Sequence, residues 1–311
     1  MGVARESERQ RREEAAKAHR EEGVRMPSTE VIELDPKTEA VLKRKGYAVK
    51  NLLSEGSFGK VYKAQKKTDG ILAAVKVMDT EKMSPDFRDV FLPRELEMLI
   101  KIRHPYVLEV FDIFKNNKKI FIFMEFAPNG DLAGQCKEGP PPLASSRKWI
   151  RQSAEALTYM HDSLDICHRD IKLENILLNP AFDAKLSDFG FSRVVGSGLA
   201  RTVCGTTCYY SPELISRKYD PKKADVWALG CVLFALCCAR LPFADWPGKR
   251  TQSTPQAWTT FTQNQMNRSY KKRDGYSRIP ADVKDLIDKC MEPDPSKRLT
   301  AAQVAKHKAL R

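Results

Sequence analysis

The sequence predicts an α+β chain in which strand-like runs come first and long helical patterns follow. Apolar strand-like runs occupy residues 52–64, 71–77 and 121–127, the first broken by a glycine-rich turn. Long helical patterns follow at 145–160 and 225–238. At 311 residues and 42% hydrophobic content, the chain is long enough for one large domain, or for two lobes plus a tail, with a sizeable core.

Composition narrows the setting. No run of eighteen apolar residues is present, so no membrane span is expected, and the N-terminus lacks the apolar core of a secretion signal. Met1-Gly2 opens like a myristoylation signal, but Glu6 stands where Ser or Thr is wanted. The protein is therefore expected to act inside the cell, in the cytoplasm, as a monomer. A net charge of +13 favours acidic partners in general, yet no nucleic-acid recognition motif accompanies it, and no specific nucleic-acid partner is expected. Eight cysteines at irregular spacing predict neither disulfides nor, at Cys204 and Cys208, a zinc site. Cys231, Cys237 and Cys238 lie in an apolar stretch and read as small buried hydrophobes.

Residues 1–46 form a charged segment without an apolar stripe, although Glu8 with Arg12 and Glu13 with Lys17 sit at helical spacing. It reads as a marginal helix or disordered tail, or as a docking helix if a partner supplies the missing core, with a first folded turn over Glu39 to Lys45. The strand at Leu52-Leu53 runs into Ser54-Glu55-Gly56-Ser57-Phe58-Gly59, then Lys60-Val61. Lys76 interrupts the apolar strand Ile71 to Val77. A buried ammonium there is costly unless paired, the plainer alternative being a lysine that snorkels to the surface. A helical pattern carries Glu95, nineteen residues later, above Leu96, Leu99 and Ile100. Between Trp246 and Ser277 the chain is polar and basic with little periodicity, and reads as a long loop.

The most informative stretch is His168-Arg169-Asp170-Ile171-Lys172-Leu173-Glu174-Asn175, with Asp188-Phe189-Gly190 beginning thirteen residues after Asn175. Alone, either motif could be a solvated loop or an ordinary turn. Together they resemble the catalytic loop and metal-binding turn of a eukaryotic protein kinase. Phosphoryl transfer asks for a positioned hydroxyl, neutralised phosphate charge and in-line geometry rather than covalent help. The resemblance implies a two-lobed kinase fold over 47–308, with N-lobe 47–124, hinge 125–128 and C-lobe 129–308. It implies that Asp170 orients a substrate hydroxyl, that Lys172 offsets charge on the transferring group, and that Asn175 and Asp188 hold Mg²⁺ on ATP.

The same resemblance extends along the chain. It implies an ATP pocket built from Leu53, Ser54, Glu55, Gly56, Ser57, Phe58, Gly59, Lys60, Val61, Ala74 and Lys76. Glu95 would pair with Lys76, Met124 would guard the back of the pocket, and Glu125 and Ala127 would offer backbone groups to adenine. Ser54 replaces the first glycine of the family's loop, the one departure that favours an alternative reading as a scaffold without transfer. Thr202 is the implied activating phosphorylation site, by an upstream kinase or otherwise, with Arg169 and Arg193 receiving the phosphate. Asp131 and Glu174 match acidic positions that bind an arginine upstream of the target, and Thr206 shapes the serine/threonine substrate site. Glu213 with Arg298, and Asp225 beneath the catalytic loop, are structural supports. Ala40 to Tyr47, Asp86-Phe87 and Phe91 to Glu95 are similar to the testis-specific serine/threonine kinase family, within the calmodulin-dependent kinase-like group. That likeness implies protein substrates and a role in sperm formation or function.

Overall fold

Alternating apolar and polar residues in the first half of the chain pair into one antiparallel sheet. The structure, a computed structural model, describes residues 34–56, 59–83, 85, 88, 92–188, 193–194, 207–216, 219–243 and 254–311. For Gly56, Lys82, residues 93–95, 193–194 and 215–216 it describes the backbone only. The chain divides into a unit ending at Gly46 and a second unit over Tyr47–Arg311. Of the first, helix α1 (Pro36–Arg44) is described. Asp35 caps it by accepting the Thr38 N–H at 3.0 Å, and Pro36 starts it where its missing N–H costs nothing. Most of the charged segment lies outside the described residues.

In the second unit, β1 (Tyr47–Gly56), β2 (Gly59–Lys66), β3 (Leu72–Asp79), β4 (Val110–Asn116) and β5 (Lys119–Glu125) form a sheet in the order β1-β2-β3-β5-β4. Helix α2 (Leu92–Lys101) supplies Leu92, Leu96 and Leu99 to a small core with Met78, Met83, Val110, Ile120 and Ile122. Gly59 is required by packing, because a Cβ there would collide with the Val77 carbonyl of β3.

The helical part holds the larger core. Helix α3 (Leu132–Gln135) follows β5, and α4 (Leu143–Thr158) continues into a π-turn over Tyr159–Ser163. The short strands β6 (Ile166–Cys167), β7 (Ile176–Leu178), β8 (Ala184–Leu186) and β9 (Arg193–Val194) pair as β6-β9 and β7-β8. Helix α5 (Pro221–Cys238) is buried on nearly every side, with Trp227, Leu229, Val232, Leu233 and Phe234 at 0% exposure. Cys231 and Cys238 are buried in it, while Cys237 is partly so. Helices α6 (Pro255–Met266), α7 (Ala281–Cys290) and α8 (Ala301–Ala305) complete the lobe. No helix among the described residues is long and apolar enough to cross a membrane.

One expectation is corrected. The stretch 246–277, read as a loop, contains α6 with its cap at Thr254, followed by two short 3₁₀ turns. Its buried stripe is Phe261 and Gln265, flanked by Trp258, which stacks on Tyr210. Threonine, glutamine and asparagine fill most of the remaining positions, so the apolar period is too sparse to be read from the sequence.

Candidate active site

Strand register assembles one wall of the site. Directly opposed residues of antiparallel strands project to the same face. Val61 opposes Lys76, and Ala74 opposes Met124, so these four share a face of the sheet. The opposite face carries Tyr62, Val75 and Phe123, each nearly fully buried. Leu53 is the extra residue of a bulge, since Leu52 pairs with Tyr62 and Ser54 with Val61, and it stands 42% exposed. Glu55 and Lys60 pair across the hairpin at 3.4 Å, and Gly56 opposes Gly59. Met124 packs on the small core, and β5 ends at Glu125 ahead of Ala127.

The opposite wall is the loop after β6. Asp170 is 5% exposed, and its Oδ2 accepts from Lys172 Nζ at 2.8 Å and from Asn175 Nδ2 at 2.9 Å. Asn175 Nδ2 also donates to the Asp170 carbonyl at 2.8 Å. Two predicted residues thus converge on the carboxylate of a third. Beneath them, Asp225 accepts the His168 N–H at 2.8 Å, the Arg169 N–H at 2.7 Å and His161 Nε2 at 2.9 Å. Arg169 sits at φ +67°, a strained conformation that these bonds to Asp225 hold in place.

His168 links the loop to the next motif. Its Nε2 donates to the Ser187 carbonyl at 2.9 Å, and its Nδ1 accepts the Asp170 N–H at 3.3 Å. These partners fix a neutral, Nε2-protonated imidazole. Burial pushes its pKa below the ordinary value, against the pull of Asp225 and Asp170. Ser187 returns two bonds to the Asn175 carbonyl, from its N–H at 2.9 Å and its hydroxyl at 3.0 Å.

Asp188 follows at φ +58°, with its Oδ1 2.5 Å from Lys76 Nζ. Desolvation would raise this carboxyl, but the charge and hydrogen bond of the Lys76 ammonium, with Lys172 adding to them, hold the group below the usual carboxylate range. The contact joins the sheet wall to the loop wall. The donor set suits a hard cation such as Mg²⁺: an ionised Asp188 carboxylate and Asn175, whose Nδ2 is engaged by Asp170, leaving Oδ1 as its oxygen donor.

The remaining predicted residues scatter. Glu174 is exposed, while Asp131 caps α3 by accepting the Gly134 N–H at 2.7 Å. Arg169 Nη2 donates to Tyr219 Oη at 3.0 Å. Arg298 and Glu213 form a bidentate pair at 2.6 and 2.9 Å, with the guanidinium 5.0 Å over the Trp227 ring. Glu95 lies on α2 and Arg193 on β9 opposite Cys167, but their side chains lie outside the described residues. Ser57, Phe58, Thr202 and Thr206 lie wholly outside them.

Sequence reasoning gave no role to His161, to His168 or to Tyr209, whose hydroxyl accepts the Leu173 N–H at 3.4 Å. His168 stood within the recognised motif and could have been asked what it bonds. His161 and Tyr209 carry no spacing signal, because their partners are 64 and 36 residues away.

Comparison with known proteins agrees with this geometry. A family model described as "Protein kinase domain" matches residues 47–310. Testis-specific serine/threonine-protein kinase 1 of Mus musculus is 35% identical over 277 residues, covering 86% of this chain and 73% of its own. Its Homo sapiens counterpart is also 35% identical, over 86% of this chain and 72% of its own. CBL-interacting serine/threonine-protein kinase 18 of Arabidopsis thaliana is 32% identical over 84% of this chain and 49% of its own.

Proposed function

Because this chain belongs to the protein kinase family and is a serine/threonine protein kinase, we propose that Asp170 is the group that orients the substrate hydroxyl. The observation that carries this reading is the convergence of Lys172 and Asn175 on the Asp170 carboxylate at 2.8 and 2.9 Å. An acceptor held on two sides keeps its remaining capacity in a fixed direction, where an incoming serine or threonine hydroxyl can be aligned. Lys172, already beside it, offsets negative charge as the phosphoryl group transfers. Asn175 and Asp188 would hold Mg²⁺, which when bound supplies neutralisation of the ATP phosphates. Lys76 keeps Asp188 ionised at neutral pH and lies on the pocket face with Val61, Ala74 and Met124. The adenine edge is read by backbone groups of Glu125 and Ala127. Leu53 with the turn at Ser54 to Lys60 covers the nucleotide, and Glu95 is the second partner for Lys76.

Thr202 is the activating site, through an upstream kinase or self-phosphorylation, and Arg169 and Arg193 receive its phosphate as bidentate donors. Asp131 and Glu174 favour protein substrates with an upstream arginine, and Thr206 shapes the site for serine or threonine. The testis-specific names of the mouse and human relatives are consistent with a role in sperm formation or function. On this reading the enzyme acts in the cytoplasm as a monomer.

The test is radiolabelled phosphate transfer from ATP-Mg²⁺ to serine peptides with and without an upstream arginine. Asp170→Ala and Lys76→Met are expected to lower transfer at least about a hundredfold, and Thr202→Ala to lower it less. Transfer by Asp170→Ala equal to wild type would overturn the central assignment. Equal rates on the two peptides would remove the arginine preference alone.

A further inference from the structure

The strand that leads to Asp188 and the strand that ends at the hinge are joined by one ion pair. Lys185 is the middle residue of β8, and its Nζ lies 2.8 Å from Oε2 of Glu125, the last residue of β5. The two side chains are 12% and 24% exposed, which sets the pair apart from solvated surface pairs. The same carboxylate oxygen accepts the Glu109 N–H at 3.5 Å, and the Glu125 N–H donates to the Glu109 carbonyl at 2.9 Å. Glu125 is therefore held through both its main chain and its side chain. On the other side of Lys185, Leu186 exchanges main-chain bonds with Tyr106 at 2.9 Å and Leu108 at 2.8 Å. One loop, 104–109, thus contacts both ends of the pair. Its His104 senses the ammonium: burial first, then Lys185, push the imidazole below its ordinary value.

We infer that Lys185 is a positioning residue for the nucleotide, clamping Glu125 so that the hinge backbone is held at a fixed distance from the strand that leads to Asp188. This rests on the reading of Glu125 and Ala127 as adenine contacts. Lys185 acts through Glu125 rather than on the reacting atoms, and its partners are separate from those around Asp170. Its loss therefore weakens nucleotide binding and spares the chemical step.

The experiment compares wild type with Lys185→Met, Lys185→Arg and Glu125→Gln, measuring kcat, KM for ATP and the Kd of a fluorescent ATP analogue. In Lys185→Met, KM and Kd are expected to rise about tenfold, with kcat within about twofold of wild type. Lys185→Arg, which keeps charge and reach, should return both to within about threefold. If the methionine variant does not fold, Glu125→Gln decides, with an expected rise in Kd of about threefold to fivefold. Unchanged KM and Kd would overturn the inference, as would a fall in kcat at constant KM or an arginine variant as impaired as the methionine one. Should wild type bind the analogue without transferring phosphate, a Kd shift still upholds the clamp while the catalytic assignment fails. Should wild type bind no nucleotide, both fall together.

Discussion

Arg298 makes five hydrogen bonds from a side chain with no solvent exposure: two to Glu213 and one each to the carbonyls of Lys223, Glu292 and Pro293. Its burial is tolerable because each N–H direction finds an oxygen and the cation lies over Trp227. Replacing it with methionine strips Glu213 of its bidentate partner and leaves three carbonyls short of a donor. Such losses cost about 3–5 kcal/mol when one side of a buried pair is removed. Glu213→Gln is gentler, about 1.5–3 kcal/mol, because the guanidinium keeps its carbonyl acceptors. Urea unfolding of the two variants should show this order; equal losses would mean that the carbonyl bonds contribute little. The pair was legible in the sequence because each residue sits in a recognisable motif. Asp225 was legible for the same reason, whereas His161, its third donor, was not. A histidine in an apolar helical pattern gives no hint of a carboxylate 64 residues further on.

Among the elements, those with strong periods were legible and those held by tertiary contacts were not. The strand carrying Lys76 and the helix through Cys238 read directly, because each buries a continuous apolar run. Helix α6 did not, because its inward face includes Gln265, whose amide donates to the Tyr210 carbonyl. That bond exists only once the lobe has folded. The crossing of α5 and α7 shows how tightly such contacts constrain an element. Gly230 lies inside α5, where alanine would gain roughly 1 kcal/mol of helix propensity. A Cβ there would stand 2.7 Å from Cys290 Cβ and 2.9 Å from Met291 Cγ. Met291 can swing aside, but Cys290 Cβ is fixed to its helix, so the helices must separate, at about 1–3 kcal/mol. Crowding outweighs propensity, and Gly230→Ala should lower the melting temperature. A melting temperature equal to or above wild type would show that the crossing has slack.

At the scale of the whole molecule, the shifted histidines tie stability to pH in the range where cells work. His168, His104 and His307 are all pushed below their ordinary pKa, in each case first by burial. A native state that keeps them neutral binds fewer protons than the unfolded chain, whose histidines titrate near 6.5. Their contribution is therefore complete above about pH 6.5 and is lost as pH falls towards the native-state pKa values. His168 dominates, being fully buried with its tautomer fixed by Ser187 and Asp170, and protonation would set an Nδ1–H against the Asp170 N–H. One such group removes up to about 1.4 kcal/mol per pH unit; His104 and His307, closer to solvent, add less. The carboxylates held low by lysines, Asp188 with Lys76 and Asp183 with Lys148, act in a separate window. Their contribution stands above the unfolded carboxylate pKa of about 4 and is lost only below it. Urea midpoints at pH 7.5, 6.5 and 5.5 should be level over the first interval and fall over the second. Because His168 bonds the main chain at both Asp170 and Ser187, transfer measured at saturating ATP should weaken in the same interval. A midpoint that stays level to pH 5.5 would mean that His168 takes up its proton as readily in the folded protein as in the unfolded chain, and that its neutral form does not hold the loop.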